Sequence, residues 1–147
     1  MVIIRPIGSR DFEEILDIEA QASPKSQYDL RELKFLHRRY PRTFLVAAGD
    51  QIDGYIVFSL DGHIASMAVR PERRRRGIGT RLLKEAITYC AGKSLRLEVR
   101  VSNLGAIDFY LNLGFEKRAK VRGYYHDGED ALIMELAASG NNQIAES

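Results

Sequence analysis

The stretch Arg74-Arg75-Arg76-Gly77-Ile78-Gly79-Thr80 stands between a β-favouring run that ends before Pro71 and an amphipathic helical pattern. Glycines at such a junction let the backbone approach a ligand closely. The first N–H groups of the helix lack intrahelical partners, and with the helix dipole they form an anion site suited to a pyrophosphate. The stretch therefore predicts a strand-turn-helix unit that holds a phosphate-bearing cofactor. A tight glycine turn with solvated arginines is the alternative.

Other ways of binding a nucleotide or a metal are not indicated. The turn has two glycines rather than three, and no acidic residue is placed for a ribose, which argues against a dinucleotide-binding fold. No Gly-Lys-Ser or Gly-Lys-Thr follows, so the turn is not a P-loop. With one cysteine, Cys90, and three scattered histidines, no structural zinc site is expected. Cys90 shares a helix face with Leu82 and Ala86, which predicts a buried thiol rather than a nucleophile.

Outward from this turn, the hydrophobic periodicity predicts one α/β domain over residues 1–136 and a flexible tail over 137–147. The predicted strands are Val2–Arg5, Thr43–Ala48, Tyr55–Leu60, His63–Val69, Leu95–Arg100, Phe115–Arg122 and Ala131–Leu136. Helices are predicted from the caps Ser9 and Asp29, after Gly77, and from Asn103. Tight turns, including one over Gly49–Gly54, make the early strands antiparallel, whereas the helix after Gly77 requires a parallel crossover. The prediction is a mixed, mostly antiparallel seven-stranded sheet flanked by about four helices.

The composition bounds the class of protein. The chain has 147 residues, 45% of them hydrophobic, and a net charge of +2, so it is expected to fold as one unit and not to coat a polyanion. No apolar run approaches the roughly 18 residues of a membrane span. The single cysteine favours a cytoplasmic setting. Arg73–Arg76 stand in a row, which leaves local anion binding open.

Several motifs follow in one order along residues 43–136. They are Met67-Ala68-Val69-Arg70-Pro71, Arg74-x-x-Gly77-x-Gly79, Leu97-Glu98-Val99-Arg100-Val101-Ser102-Asn103, Ala106-Ile107-Asp108-Phe109-Tyr110, Leu113-Gly114-Phe115, Gly123-Tyr124-Tyr125 and Gly128-Glu129-Asp130-Ala131. The first two resemble the cofactor motif of the GCN5-related N-acetyltransferases, the GNAT superfamily. The others resemble the RimI-type and Ard1-type protein N-terminal acetyltransferases. The resemblance implies the GNAT fold.

The resemblance also implies acetyl-CoA as the donor, with no metal. Backbone groups of Met67, Ala68 and Val69 would pair with its pantetheine arm like an added strand. The segment that would hold the pyrophosphate consists of Arg74, Arg75, Arg76, Gly77, Ile78, Gly79 and Thr80. Asn103 would also contact the cofactor. The implied acceptor is a protein or peptide N-terminus, with ribosomal proteins among the candidates, while sequence preference, auxiliary subunits and oligomeric state stay open.

Acetyl transfer from a thioester to an amine needs a proton acceptor for the amine and a proton donor for the leaving thiolate. Glu98 lies on the polar-patterned face of its strand, and the resemblance implies that it is the general base; a cross-strand ion pair with Arg96, Arg100 or another basic residue is the alternative. Tyr110 has a phenol that is protonated at neutral pH, and the resemblance implies that it is the general acid. The helical pattern alone places Tyr110 in the core beside Ile107.

The acceptor would lie between two walls. Tyr124 and Tyr125 stand in the loop between the last two strands, where the resemblance implies one wall of a peptide groove; hairpin packing is the alternative. Tyr28 belongs to the segment 22–28 that would form the other wall. No acidic residue occurs between positions 20 and 27, unlike in many Ard1-type enzymes. Surface positions are predicted for the histidines His37, His63 and His126.

Three functions stay open at this point. The leading one is direct acetyl transfer to the α-amino group of protein N-termini. An α-amino group has a reference pKa near 7.7–8.0 and a lysine side chain near 10.4, so roughly a tenth of α-amines, but well under about 0.1% of lysines, are neutral at pH 7. The first alternative is acetylation of a small amine or a lysine side chain. The second is a non-enzymatic module that binds RNA or another polyanion through Arg73–Arg76.

Overall fold

The computed structural model describes residues 1–138, so the predicted tail lies, from residue 139 onward, outside the described residues. Within the described part, the helices are α1 (Phe12–Ala22), α2 (Leu30–Arg39), α3 (Ile78–Tyr89) and α4 (Leu104–Asn112). The strands there are β1 (Ile3–Pro6), β2 (Phe44–Ala48), β3 (Ile52–Phe58), β4 (Ile64–Val69), β5 (Leu95–Arg100), β6 (Glu116–Val121) and β7 (Ala131–Leu136). The predicted order of strands and helices is confirmed.

The strands form two antiparallel sheets within residues 1–138. The first has the order β1-β2-β3-β4 and the second the order β5-β7-β6. A single parallel bridge between His63 and Arg96 joins them, where the N–H of Arg96 donates to the carbonyl of Gly62 at 2.9 Å. The predicted fold class is confirmed, while the expected parallel pairing of β4 with β5 is reduced to this bridge. Beyond it the two strands separate, which opens the centre of the molecule.

Two apolar clusters cover the opposite faces of β4. Met67 and Val69 belong to the cluster that includes Leu82 of α3. Ala68, between them, belongs to the cluster that includes Ile15 of α1. Successive side chains of a strand point to opposite faces of the sheet, which explains this division. The open edge of β4 therefore lies between a layer of α3 and α4 and a layer of α1 and α2.

Helix starts follow local capping rules, with one exception to the prediction. Asp29 caps α2, since its carboxylate accepts from the N–H of Glu32 at 2.8 Å and Glu32 accepts from the N–H of Asp29 at 3.1 Å. The predicted cap at Ser9 is wrong. Residues 9–11 form a short 3-10 turn, and the carboxylate of Asp11 accepts from the N–H of Gly8 at 2.8 Å before α1 begins.

The predicted turn over Gly49–Gly54 is wrong in its second half. β3 already begins at Ile52, and Gly54 pairs with Val69 of β4. A Cβ added at Gly54 would lie 2.8 Å from the carbonyl oxygen of Ala68, closer than side-chain carbons approach. This glycine therefore serves a close contact between two strands and not a turn.

Candidate active site

The separation of β4 from β5 creates a cleft of about 1010 Å³. Ten residues that the sequence predicts for the site line it, namely Tyr28, Met67, Ala68, Val69, Arg74, Glu98, Asn103, Tyr110, Tyr124 and Tyr125. Six predicted residues lie outside this lining, namely Arg75, Arg76, Gly77, Ile78, Gly79 and Thr80. The cleft thus brings together the candidate base, the candidate acid and the groove tyrosines, with the glycine turn next to it.

Glu98 lines the cleft from β5 and is half-buried. Its Oε1 lies 2.9 Å from Nε2 of His63 and 3.5 Å from the hydroxyl of Tyr124. Of the alternative partners, Arg96 and Arg100 bind other carboxylates, and the basic residue that contacts Glu98 is His63. His63, predicted at the surface, is half-buried and is a partner that sequence reasoning missed. His63 stands directly before β4, and the parallel bridge to β5 places it beside Glu98. This bridge joins residues that are distant in sequence, so no local pattern indicates the contact.

Tyr110 lines the same cleft from α4. Its hydroxyl donates to the carbonyl oxygen of Met67 at 3.1 Å and therefore lies at the open edge of β4. Its ring meets Phe109 and Phe115 at centroid distances of 5.3 and 5.6 Å. Burial raises the pKa of this phenol, and the nearby charge of Glu19 raises it further. The ring belongs to the core, as the helical pattern indicates, while the hydroxyl faces the cleft.

The two glycines before α3 have different structural causes. Gly77 has a φ of 77°, in the left-handed region that glycine adopts without steric cost, and it directly precedes the helix. Gly79 lies in the first turn of α3, where an added Cβ would be 3.3 Å from Cζ of Phe109 on α4. Gly77 is therefore explained by the turn of the backbone, and Gly79 by the close packing of α3 on α4.

The four arginines that precede this turn do not form one basic surface. Arg73 lies 3.5 Å from a buried carboxylate on β3. Arg74 is turned toward β4, and its Nε donates to the carbonyl of Val69 at 3.4 Å. Arg75 and Arg76 are exposed, and among residues 1–138 neither has a carboxylate within 4.0 Å. Arg75 and Arg76 are therefore exposed cations at the start of α3 that a ligand anion can reach.

Three other predicted cofactor residues are tied into the protein. The side chains of Ile78 and Thr80 are buried on α3. Asn103 caps α4, with its Oδ1 accepting from the N–H of Ala106 at 3.1 Å, which confirms the predicted cap. Its Nδ2 donates to the carbonyl of Ala22 at 3.1 Å. Asn103 therefore joins the start of α4 to the end of α1 at the cleft.

Tyrosines line the part of the cleft next to the connection between α1 and α2. The hydroxyl of Tyr28 donates to the carbonyl oxygen of Ala65 at 3.2 Å. Across the cleft, the rings of Tyr124 and Tyr125 meet edge to face, with centroids 4.9 Å apart. Burial raises the pKa of all three phenols, that of Tyr125 to about 12. All three hydroxyls are therefore hydrogen-bond donors at neutral pH.

Arg100, at the end of β5, connects the two walls. Its Nη1 contacts carboxylate oxygens of Asp127 and Glu129 at 2.9 Å each, and its Nε donates to the hydroxyl of Ser26 at 2.6 Å. Its guanidinium lies 4.1 Å from the ring centre of Tyr125. These contacts hold the loop between β6 and β7 against the connection between α1 and α2. Sequence reasoning considered Arg100 only as a partner of Glu98.

Glu19 is a buried carboxylate in the cleft lining that sequence reasoning missed. It lies on α1, is 2% exposed, and accepts hydrogen bonds from the hydroxyls of Tyr55 and Ser66. Burial raises its pKa to about 7. A signal existed, because position 19 follows Ile15 by four residues and so falls on the apolar face of the helix. A charged residue on that face points to a buried polar site.

Neither a metal cluster nor a thiol accompanies the cleft in the described residues. Among residues 1–138, no three His, Cys, Asp or Glu side chains are grouped so that they could hold a metal ion. No helix in that range has the length and apolar character needed to cross a bilayer.

Cys90 is buried outside the cleft lining, and its Sγ donates to the carbonyl of Ser59 at 3.4 Å. The prediction of a buried thiol is confirmed.

Comparison with known proteins identifies the family. Residues 9–115 match the acetyltransferase (GNAT) family, and the chain belongs to this family. It is 40% identical to an uncharacterized N-acetyltransferase of Methanocaldococcus jannaschii, over 90% of each chain. It is 35% identical to an N-alpha-acetyltransferase of Sulfurisphaera tokodaii, over 89% of this chain and 90% of that one. It is 31% identical to a Bacillus subtilis protein named as a ribosomal protein bS18-alanine N-acetyltransferase, over 89% and 92% of the two chains.

The fold agrees with a solved structure of the same kind. The crystal structure of Ard1 from Thermoplasma volcanium matches with a TM-score of 0.76 and 31% identity, over 99% of both chains. The resemblance to RimI-type and Ard1-type N-acetyltransferases is therefore confirmed, and with it the acyltransferase class.

Proposed function

We propose that this protein transfers the acetyl group of acetyl-CoA directly to the α-amino group of protein N-termini, with Glu98 as general base and Tyr110 as general acid. The observation that carries the proposal is that Glu98 and Tyr110 line one cleft at the open edge of β4. Membership of the GNAT family supports acetyl-CoA as the donor. Relatives named as N-alpha-acetyltransferases support a protein N-terminus as the acceptor.

The residues around the cleft fit acetyl-CoA in two respects. Beyond the bridge at His63, β4 has no strand partner on its cleft edge among residues 1–138, so Met67–Val69 can pair with the pantetheine amides as a strand would. Arg75 and Arg76 are exposed at the start of α3, where helix amides and the dipole favour a pyrophosphate. When bound, acetyl-CoA supplies an activated carbonyl and a thiolate leaving group.

Glu98 accepts the proton of the acceptor amine, either directly or through a water. His63 fixes Oε1 at 2.9 Å and acts as a positioning residue, while Oε2 has no hydrogen-bond partner among residues 1–138. A carboxylate is a modest base, but an α-amine needs little help. With a reference pKa near 7.7–8.0, about a tenth of α-amines are already neutral at pH 7. The same base would have to work much harder on a lysine side chain.

The hydroxyl of Tyr110 protonates the leaving thiolate. Its raised pKa keeps the proton on the phenol at neutral pH. Because the hydroxyl is bonded to Met67 on the edge where the donor would lie, it stands beside the position of the thioester. The position of Cys90 supports direct transfer. This residue is the one cysteine of the chain and lies outside the cleft lining, so its thiol is not placed to form a covalent acetyl intermediate.

Three classes of amine test the proposal: peptides with free N-termini, N-blocked peptides that contain lysine, and polyamines. With acetyl-CoA as donor, we expect mass spectrometry to find the acetyl group on α-amines. Glu98→Gln should lower turnover by about 10²-fold or more, with an unchanged dissociation constant for CoA. The matched variant Glu135→Gln, which removes only an ion pair to Arg118 at 3.0 Å, should keep wild-type turnover. Acetylation of polyamines or lysine peptides alone would overturn the proposed acceptor.

Ribosomal proteins are candidate acceptors, because the Bacillus subtilis relative is named for one. A peptide library that varies the first two residues tests this point. The cytoplasmic setting, inferred from the single cysteine, stays a prediction. Binding of RNA through Arg73–Arg76 has less support, since Arg73 and Arg74 make contacts within the protein.

A further inference from the structure

The carboxylate of Glu19 connects three elements beside the cleft. Its Oε1 accepts hydrogen bonds from the hydroxyl of Tyr55 on β3 and from that of Ser66 on β4, the latter at 3.1 Å. Its Oε2 receives the backbone N–H of Tyr28 at 3.4 Å. Tyr28 belongs to residues 23–29, the connection between α1 and α2 that lines the cleft opposite Tyr124. We name residues 23–29 the acceptor wall.

The acceptor wall is fixed to β4 at two points, and both involve Tyr28. The backbone of Tyr28 reaches Ser66 through the shared carboxylate of Glu19, and its hydroxyl donates to the carbonyl of Ala65 at 3.2 Å. Ala65 and Ser66 directly precede Met67, whose carbonyl binds the candidate general acid. The position of the wall and the position of the reacting edge of β4 are therefore linked by the carboxylate of Glu19 and by the hydroxyl of Tyr28.

We propose that Glu19 is a positioning residue of the acceptor site: its carboxylate holds the acceptor wall against β4 and so sets where the amino end of the acceptor lies. This inference rests on the proposed function, because it assigns the wall to the acceptor. Glu19 would contribute to the reaction without exchanging a proton with the substrate. Glu19 acts through Tyr28 and Ser66.

The hydrogen-bond inventory explains why an ionised carboxylate suits this position. Three donors converge on Glu19, and an ionised carboxylate only accepts. A protonated carboxyl must donate at one oxygen. A proton on Oε1 can be accepted by the hydroxyl of Tyr55 or Ser66, which can rotate, and Oε2 then still accepts from the N–H of Tyr28. A neutral carboxyl oxygen is a weaker acceptor than an ionised one, so protonation of Glu19 weakens the attachment of the acceptor wall.

The surroundings of Glu19 place this change near neutral pH. The titratable groups that act on it or on its partners are Tyr55 of β3, Tyr28 of the acceptor wall, Glu32 of α2, Tyr110 of α4 and Tyr124 of the loop between β6 and β7. Burial raises the pKa of Glu19 to about 7, and the charge of Glu32 adds to the effect. The hydrogen bond from Ser66 acts in the opposite direction. The wall should therefore be held at pH 8 and partly released at pH 6.

The first test measures the wall without any catalysis. Amide hydrogen exchange of Tyr28 in the full chain should be up to about tenfold faster at pH 6 than at pH 8, after correction for the intrinsic pH dependence, in line with the loss of the ionised form. In Glu19→Gln this corrected pH effect should disappear. A matched control is Asp11→Asn, which changes a second buried carboxylate, directly before α1. Asp11 pairs with Arg5 at 2.7 Å and lies outside the cleft lining. A wild-type pH effect retained in Glu19→Gln would overturn the inference.

The second test uses an N-acetylated peptide, the product, because it has no amine that titrates. If only the form with ionised Glu19 holds the wall, its dissociation constant should rise about tenfold from pH 8 to pH 6. Ser66→Ala, which removes a bond that lowers the pKa of Glu19, should move this transition to higher pH. Glu19→Gln should bind with no such transition, while Asp11→Asn should keep it.

The outcomes separate this inference from the proposed function. Acetylation of peptide N-termini by the wild type, together with an unchanged pH transition in Glu19→Gln, would overturn the inference and leave the proposed function standing. Failure of the wild type to acetylate any peptide N-terminus would overturn the proposed function, and the exchange of the Tyr28 amide would still report whether Glu19 holds the wall.

Discussion

Replacement of Tyr110 by phenylalanine separates a catalytic hydroxyl from a packed ring. The ring contacts with Phe109 and Phe115 persist in Tyr110→Phe, while the hydrogen bond of 3.1 Å to the carbonyl of Met67 is lost. Loss of one such bond should lower the free energy of unfolding by about 1 kcal/mol, and by up to about 3 kcal/mol if the carbonyl stays unpaired. Loss of a general acid should lower turnover by about 10²–10⁴-fold. The activity loss should therefore far exceed what a change of this size in folding can cause.

The assay pairs urea unfolding with initial rates of acetyl transfer to a peptide with a free N-terminus. Tyr89→Phe is the matched control, because Tyr89 packs its ring on Phe58 at 5.8 Å and lies outside the cleft lining. It should keep wild-type turnover. Wild-type turnover in Tyr110→Phe, with or without a loss of stability, would refute the assignment of the general acid and leave Tyr110 as a core residue only.

Three further predictions address the base, the buried carboxylate and the glycine turn. His63→Gln should lower turnover less than Glu98→Gln does, because it removes only the support at 2.9 Å, and equal turnover in His63→Gln and wild type would remove the positioning role. Glu19 binds its proton more tightly in the folded state, with a pKa of about 7, than at its ordinary value of 4.5, so the folded state holds more protons between these values. The free energy of unfolding should therefore fall by about 3 kcal/mol as pH rises from 4.5 to 7, and urea titrations should find this slope absent in Glu19→Gln. Gly79→Val should cost about 1–3 kcal/mol by overpacking against Phe109, visible as a lower urea midpoint, and an unchanged midpoint would contradict the packing account.

Local signals predict the parts of the fold whose partners are close in sequence. Asp29 and Asn103 are recognisable as caps because the amides that they bind lie three residues further on. β7 is predicted at its observed bounds, since five of its six residues are apolar. Gly54 shows the opposite case. Its local surroundings indicate a turn, whereas its cause is the backbone of Ala68 on the neighbouring strand.

The candidate site divides in the same way. Glu98 and Tyr110 were accessible through motifs that the sequence carries. His63 stands 35 positions before Glu98, and Glu19 stands 47 positions before Ser66. Their contacts depend on the register of β4 against β5 and on the packing of α1 over β4, which no local pattern encodes. A charged residue on the predicted apolar face of a helix, such as Glu19, is therefore the sequence signal that could have found a missed site residue.

A crystal structure with CoA and an N-acetylated peptide tests the central claim most directly. The account predicts that the pantetheine arm runs along Met67–Val69, that the pyrophosphate lies at the start of α3 beside Arg75 and Arg76, and that the CoA sulfur is within hydrogen-bond distance of the Tyr110 hydroxyl. The acetylated nitrogen should lie on the side of Glu98. CoA bound outside the cleft between β4 and β5, or with its sulfur remote from both side chains, would contradict the account.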